Sequence, residues 1–382
     1  MTWRRLISAS GLAAAVALAG CGVSAARGPG SAGRPPAFAV SLATAVAGHG
    51  ASFAVVRMAG AGGEQDLFWQ LLTQLAGRDR WRLATPPGVA DNGGLVVAGT
   101  TGTALTAGFV PSQLLRFTPL AITTNGGARW SQGLLPALLA AVPGALAALP
   151  GGRLLAVTRR SAQLSAPPGT SWSTLVTERA LAASPAGRGC GLTALTAAAA
   201  DQAGAPVLAG NCTRPGRAGI FSLAAGGWLA TGPALPAALA GQRIAVLRLA
   251  PDAAGALLTA GTGRHQVLIP AWLTGHPAAW TLGGPVNLHG HRVESVSVGA
   301  AGRWGVVLSG QVGEILGPGA AGTAPRAMFP LPASTAILLP AQRRVTAFAP
   351  GDSSVTVWQL TGAGWRKAQL IAVPVTSGSP GH

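Results

Sequence analysis

A tandem repeat narrows the fold of this 382-residue chain more than any other feature. Short apolar stretches begin near Ala51, Leu95, Arg153, Pro206, Ala256, Arg303 and Arg343, at intervals of roughly 40 to 58 residues. Most are preceded by a turn rich in Gly, Pro, Asp or Asn, such as Gly48-His49-Gly50, Asp91-Asn92-Gly93-Gly94 or Pro251-Asp252-Ala253-Ala254-Gly255. Such turns supply positive φ at glycine and side-chain caps from Asp or Asn, so each unit reads as a hairpin with the named stretch as its second strand. After most hairpins a third apolar stretch leads through a turn to a tryptophan: Trp81, Trp130, Trp172, Trp228, Trp280 or Trp365. A fourth strand is expected after each. One such sheet cannot cover both of its apolar faces alone, and stacking sheet on sheet solves that problem. The reading is all-β, a β-propeller of seven four-stranded blades over residues 37–375. The strand signal ahead of Leu95 (ATPPGVA) is weak, which leaves six and eight blades open. The interval is too long for solenoid coils and too regular for paired sandwiches.

Composition agrees with short strands. Hydrophobic residues make up 49% of the chain but aromatics only 5%, with 56 glycines, 29 prolines and no tyrosine. The core must therefore be Ala, Val and Leu in close contact, and the even spread of Gly and Pro disfavours long helices.

The first residues carry an address. Arg4 and Arg5 precede an uncharged apolar stretch from Leu6 to Gly20, which ends in Leu18-Ala19-Gly20-Cys21. Positive n-region, apolar h-region and small-residue cleavage site are the parts of an export signal. The apolar stretch is shorter than the ~20 residues of a spanning helix. The tetrad resembles the lipobox of bacterial lipoproteins. That resemblance implies a signal peptide over residues 1–20, a lipid-modified (palmitate-type) Cys21 as the mature N-terminus, and a membrane-anchored protein on the extracytoplasmic face. Residues 21–36, rich in Gly, Ala and Pro, read as a disordered linker, and residues 376–382 as a disordered tail.

One repeat element is sharper than the rest. Thr123-Thr124-Asn125-Gly126-Gly127-Ala128-Arg129-Trp130 resembles the Asp-box of sialidase-type and sortilin-type propellers, with Asn125 in the acidic position. Ser165 to Trp172, with Gly169 between, is a weaker copy in which proline replaces the acid, and Phe221 to Trp228 is weaker still. The resemblance implies a structural role: Thr123, Asn125, Gly127 and Trp130, like Ser165, Gly169 and Trp172, would shape blade turns. Sialidase chemistry needs a tyrosine nucleophile, which this chain lacks. A general glycosidase needs two carboxylates facing each other across a cleft. The ten carboxylates present show no spacing that selects such a pair, and Asp91, Asp201 and Asp252 fall in turns. His289-Gly290-His291 reads as an exposed turn rather than a metal site. No catalytic residue, metal or cofactor is assigned.

Two further cysteines, Cys190 and Cys212, form an even pair in an exported chain and read as a disulfide. They lie at mirror positions about Asp201, which predicts that they face each other across one antiparallel hairpin.

Charge points to the kind of partner. Without Arg4 and Arg5 the chain carries 25 basic and 10 acidic residues, a net +15, and Lys367 is the single lysine. The arginines are dispersed in ones and twos, which disfavours nucleic acid. An exported basic protein is drawn to anionic surfaces in a salt-dependent way. The expected function is a non-catalytic binding or scaffold module at the cell envelope. Its expected partners are the membrane, through the lipid, and an anionic envelope polymer or protein. The alternative is an extracytoplasmic, glycoside-hydrolase-like enzyme with a nonstandard site in the propeller channel.

Overall fold

The computed structural model describes residues 44–47, 50–60, 63–86, 95–99, 102–109, 120–131, 144–158, 160–166, 171–275, 279–318, 326–341 and 344–374. The expected signal peptide, Cys21, the linker, Gly169 and the tail lie outside them. Seven small antiparallel sheets form a ring, a seven-bladed β-propeller. Blade 1 comprises β1 (Thr44–Val46), β2 (Ala51–Gly60), β3 (Gly63–Leu75) and β4 (Arg82–Leu83), and blade 2 comprises β5 (Leu95–Gly99), β6 (Leu105–Phe109) and β7 (Leu120–Thr123). Blade 3 holds β8 (Ala145–Ala148), β9 (Leu154–Val157), β10 (Ser161–Ala166) and β11 (Ser171–Thr177). Two short helices follow, α1 (Glu178–Ala183) and α2 (Pro185–Cys190). Blade 4 holds β12 (Leu192–Ala200), β13 (Pro206–Cys212), β14 (Gly219–Ala224) and β15 (Gly227–Ala230). Blade 5 holds β16 (Ile244–Leu249), β17 (Gly255–Ala260), β18 (Val267–Thr274) and β19 (Ala279–Leu282), with β20 (Val286–Asn287) returning to β18. Blade 6 is β21 (Val293–Val298), β22 (Trp304–Leu308), β23 (Val312–Leu316) and β24 (Arg326–Pro330). Blade 7 is β25 (Ile337–Pro340), β26 (Val345–Pro350), β27 (Ser354–Thr361) and β28 (Gly364–Ala372).

The repeat is regular, but the reading is one strand out in blade 2. Leu95 begins β5, which touches the innermost strand of blade 3 and the second strand of blade 1. The innermost strand of blade 7, β25, makes the same pair of contacts, with β1 of blade 1 and β22 of blade 6. Moreover, β7 runs into the Trp130 turn, which elsewhere joins third and fourth strands. So β5 is the innermost strand of its blade and β6 the second. Residues 87–94, just ahead of Leu95, lie outside the described residues.

The helices were not foreseen. Thr177 Oγ1 accepts from Ala180 N at 3.0 Å and caps α1. Ser184 ends α1 and caps α2 by accepting from Gly187 N at 3.1 Å, ahead of Pro185. Gly191, at φ +68°, closes α2 in the left-handed conformation that favours glycine. Six residues is too short for a periodic signal, so only these caps mark the helices in sequence.

Apolar clusters lie between neighbouring blades. Leu208 and Phe221 of blade 4 pack with Leu155 and Val157 of blade 3. Leu257 and Trp272 of blade 5 pack with Val296 and Trp304 of blade 6. Near the axis β1 pairs in parallel with β21 at Val46↔Val298, and Thr44 Oγ1 donates to Val296 O at 2.7 Å. That bridge draws blades 1 and 6 together, with β25 of blade 7 touching both inner strands.

Among the described residues no strand is exchanged between blade 7 and blade 1. Blade 1 is built wholly from the start of the described chain and blade 7 wholly from its end. Side chains hold this seam: Ala54, Val56, Met58 and Leu72 pack against Ile337, Leu339, Phe348 and Val357. Trp81 stands edge-on to Phe348, with ring centroids 4.8 Å apart at 88°. The Gln369 side chain acts as a clasp, accepting from Trp81 N at 3.0 Å and donating to Trp81 O at 2.7 Å. Removing both bonds with Gln369→Ala is expected to cost about 1–3 kcal/mol in urea unfolding. Gln369→Glu, which keeps only the acceptor, should fall between the two.

Candidate functional site: an arginine-lined groove at the seam

The turn Thr123–Trp130 is built to hold blade 2 against blade 1. Thr123 Oγ1 accepts from Asn125 N at 3.3 Å and from Gly127 N at 3.0 Å, while Asn125 Oδ1 accepts from Arg129 N at 2.8 Å. Thr73 Oγ1 and Arg82 of blade 1 both donate to Gly126 O, at 2.8 and 2.9 Å. Trp130 Nε1 donates to Ala84 O at 2.9 Å. Trp280 Nε1 donates likewise to Thr231 O, and Trp365 Nε1 to Pro330 O at 3.1 Å. In all three cases the indole of a blade's outer region reaches a carbonyl at the outer end of the preceding blade. Ser165 does a different job: buried, its Oγ accepts from Leu154 N at 2.8 Å within blade 3. Trp172 packs against the cluster between blades 2 and 3. Gly127 has φ +86°, and a Cβ there would meet Ala84 Cβ at 2.6 Å. Gly127→Ala should therefore destabilise by more than the about 1–3 kcal/mol of left-handed strain alone. Gly151→Ala, with φ +73° and open space around it, isolates the strain in the same thermal unfolding assay.

Cys190 and Cys212 are bonded, with Cα atoms 5.3 Å apart. The bridge does not cross the hairpin as predicted. Cys212 pairs in register with Leu192, and two irregularities in β12 shift the mirror. Cys190 is the last residue of α2, so the disulfide ties the helix to the end of β13.

The turn carboxylates behave as read. Asp201 Oδ1 accepts from Ala205 N and Asp252 Oδ1 from Ala254 N, while Asp91 lies outside the described residues. His289 sits exposed in a turn at φ +50°, and His291 Nδ1 bonds Ser309 O at 2.6 Å. Among the described residues no group of three or more His, Cys, Asp or Glu side chains gathers.

Arginines gather at the seam, a feature the one-dimensional spacing hides. The turn after β3 (residues 76–81) overhangs blade 7 and leaves a groove of about 570 Å³ lined by Arg80, Arg344, Arg366, Gln359 and Gln369. A second groove of about 740 Å³ on the same turn is lined by Arg78, Arg80, Arg82 and Thr73. Arg82 is committed to the carbonyls of Asn125 and Gly126. Arg344 bonds Asp79 at 3.3 Å, the one ion pair among the described residues. Arg78, Arg80 and Arg366 are exposed and have no hydrogen-bond or ion-pair partner among the described residues. Five guanidiniums against one carboxylate make the grooves strongly positive. Nothing in their spacing (78, 80, 82, 344, 366) announces the cluster, because closure of the ring brings the two halves together.

Two ionisable groups lie elsewhere. Arg248, on the innermost strand of blade 5, has its pKa lowered to about 10 by desolvation and stays protonated at neutral pH. Glu314 of β23 is buried, and neither carboxylate oxygen has a hydrogen-bond partner. It stands opposite Val306, on the blade face that packs against blade 5. Desolvation raises its pKa from 4.5 to about 7. A carboxyl whose pKa is raised on folding favours the native state while protonated. Its contribution is complete below about pH 4.5, shrinks as pH rises, and is gone above about pH 7. The melting temperature should therefore fall across that window. In Glu314→Gln the fall should be flatter, with a higher melting temperature at pH 8, as read by scanning calorimetry.

No known family profile matches the chain, and no curated protein matches it either. Solved structures match it as folds. YCF48 from Cyanidioschyzon merolae covers 88% of this chain and 96% of its own, at 16% identity and TM-score 0.47. A 6-phosphogluconolactonase homologue from Bacteroides uniformis covers 85% and 96%, at 11% identity and TM-score 0.49. The β-propeller domain of the trilobed protease from Pyrococcus furiosus, described as having an open velcro topology, covers 88% and 98%, at 8% identity and TM-score 0.48. At these identities the likeness is one of fold.

Proposed function

We propose that this protein is an exported, lipid-anchored propeller that binds an anionic partner non-catalytically at the cell envelope. The observation that carries the reading is the seam groove, where Arg78, Arg80 and Arg366 are exposed and unpartnered beside the paired Arg344. A planar guanidinium matches carboxylate and phosphate oxygens with two parallel hydrogen bonds, and three free ones along a groove suit a chain with repeated negative groups. Gln359 lines the same groove and adds neutral hydrogen-bonding capacity. The anchor rests on the Leu18-Ala19-Gly20-Cys21 tetrad. A hydrolytic reading would require two carboxylates across a cleft, whereas these grooves hold Asp79 alone, already bonded to Arg344.

The test is titration of the purified mature chain with polyglutamate and with a polyphosphodiester polymer. Binding to at least one should weaken steeply with salt, and the triple substitution R78A/R80A/R366A should weaken it at least about tenfold. Absence of binding to both polymers at low salt would refute the groove as an anion site.

A further inference from the structure

The last strand of blade 7 presents an open edge beside the seam groove. On one side β28 hydrogen-bonds to β27, and among the described residues no strand pairs with its other side. It spans nine residues, where the other described fourth strands span two to seven. Length sets how many backbone groups an edge offers, and a long edge is a template for a further strand. The two faces of β28 differ. Arg366 stands opposite Gln359 and Gln369 opposite Val357, and all four border the groove that Arg80 and Arg344 also line. Lys367 stands opposite Trp358, which packs toward blade 6, and Leu370 stands opposite Thr356 on that same face. Leu370 is 55% exposed, an apolar side chain that a neighbouring strand would cover. The edge is also guarded. The register shifts at Ala368, which has no opposite residue, and the charges of Arg366 and Lys367 precede it. Bulges and charges, lysine above all, are the devices that keep edge strands from pairing indiscriminately. Both charges here are positive and neither side chain has a partner among the described residues. They repel a second copy of this strand and attract an acidic one.

We propose that β28 takes an acidic, extended segment of a partner protein as a fifth strand of blade 7. The proposal rests on the groove reading above and narrows the partner to a polypeptide, as against a phosphodiester or sugar polymer. A peptide backbone completes the hydrogen-bond ladder along the open edge. Its side chains alternate between the two faces of the sheet. Acidic residues on one face then meet Arg366 and Arg80 of the groove, while apolar residues on the other cover Leu370. A polyanion without a peptide backbone engages the guanidiniums alone and leaves both the edge and Leu370 unused.

The experiment titrates the purified mature chain with a labelled peptide of alternating Glu and Val, read by fluorescence anisotropy at low salt. A second peptide has the same side chains but every backbone amide N-methylated, so it keeps the charge and lacks the N–H donors. Polyglutamate is the control. The parent peptide should bind, and methylation should weaken it at least about tenfold. Leu370→Ser should weaken the parent peptide roughly fivefold and leave polyglutamate unchanged. Hydrogen exchange of the β28 amides should slow with the parent peptide and not with polyglutamate. Equal melting temperatures establish that the variant is folded. The proposal is overturned if the methylated peptide binds as tightly as the parent, or if Leu370→Ser binds both ligands as the native chain does. In either case polyglutamate binding leaves the groove reading standing, whereas failure of the peptide and of polyglutamate together overturns both.

Discussion

Packing between neighbouring sheets is the interaction on which the molecule depends. No blade can bury both of its faces alone, and among the described residues no strand crosses the seam between blade 7 and blade 1. Closure rests on the cluster around Met58 and Phe348, the Trp81–Phe348 contact and the Gln369 clasp. A propeller closed by strand exchange carries backbone hydrogen bonds across its joint. Here side chains must hold the joint, so it is the place where local opening would begin. The seam is also where the arginine grooves lie, and the groove lined from both blades exists only while the ring is closed.

The tryptophans show how a sequence with few aromatics makes such packing specific. Trp130, Trp280 and Trp365 each bury an apolar ring against the preceding blade and end in a hydrogen bond to one of its carbonyls. The bond satisfies the indole N–H, which would otherwise be costly to bury, and fixes the offset between blades. Thr123 and Asn125 pre-form the turn that delivers Trp130, and Thr73 and Arg82 grip it from the neighbouring blade. Glu314 shows the opposite. Its carboxylate lies on a packed face without partners, so the interface between blades 5 and 6 carries a titratable weak point.

Charge is arranged by topology. Arginines that look featureless along the chain gather at the seam, where ring closure brings Arg78, Arg80, Arg344 and Arg366 together.

Much of this was legible in the chain. The repeat interval, the hairpin turns and the tryptophans pointed to an all-β ring of seven sheets with six and eight left open, because hydrophobic periodicity and turn chemistry are local and survive in one dimension. The cysteine pair and the structural nature of the Thr123–Trp130 turn were legible for the same reason. Tertiary structure alone decided the rest. The strand assignment in blade 2 depends on which neighbour Leu95 touches, and the partner of Cys212 depends on irregularities in β12 and a helix too short to signal itself. The clasp at Gln369 and the arginine grooves at the seam join residues far apart in sequence, and the isolation of Glu314 depends on what packs over its strand. A contact whose halves lie 288 positions apart, as Trp81 and Gln369 do, leaves no periodic trace, because it is fixed by how the ring closes and not by any property of either segment.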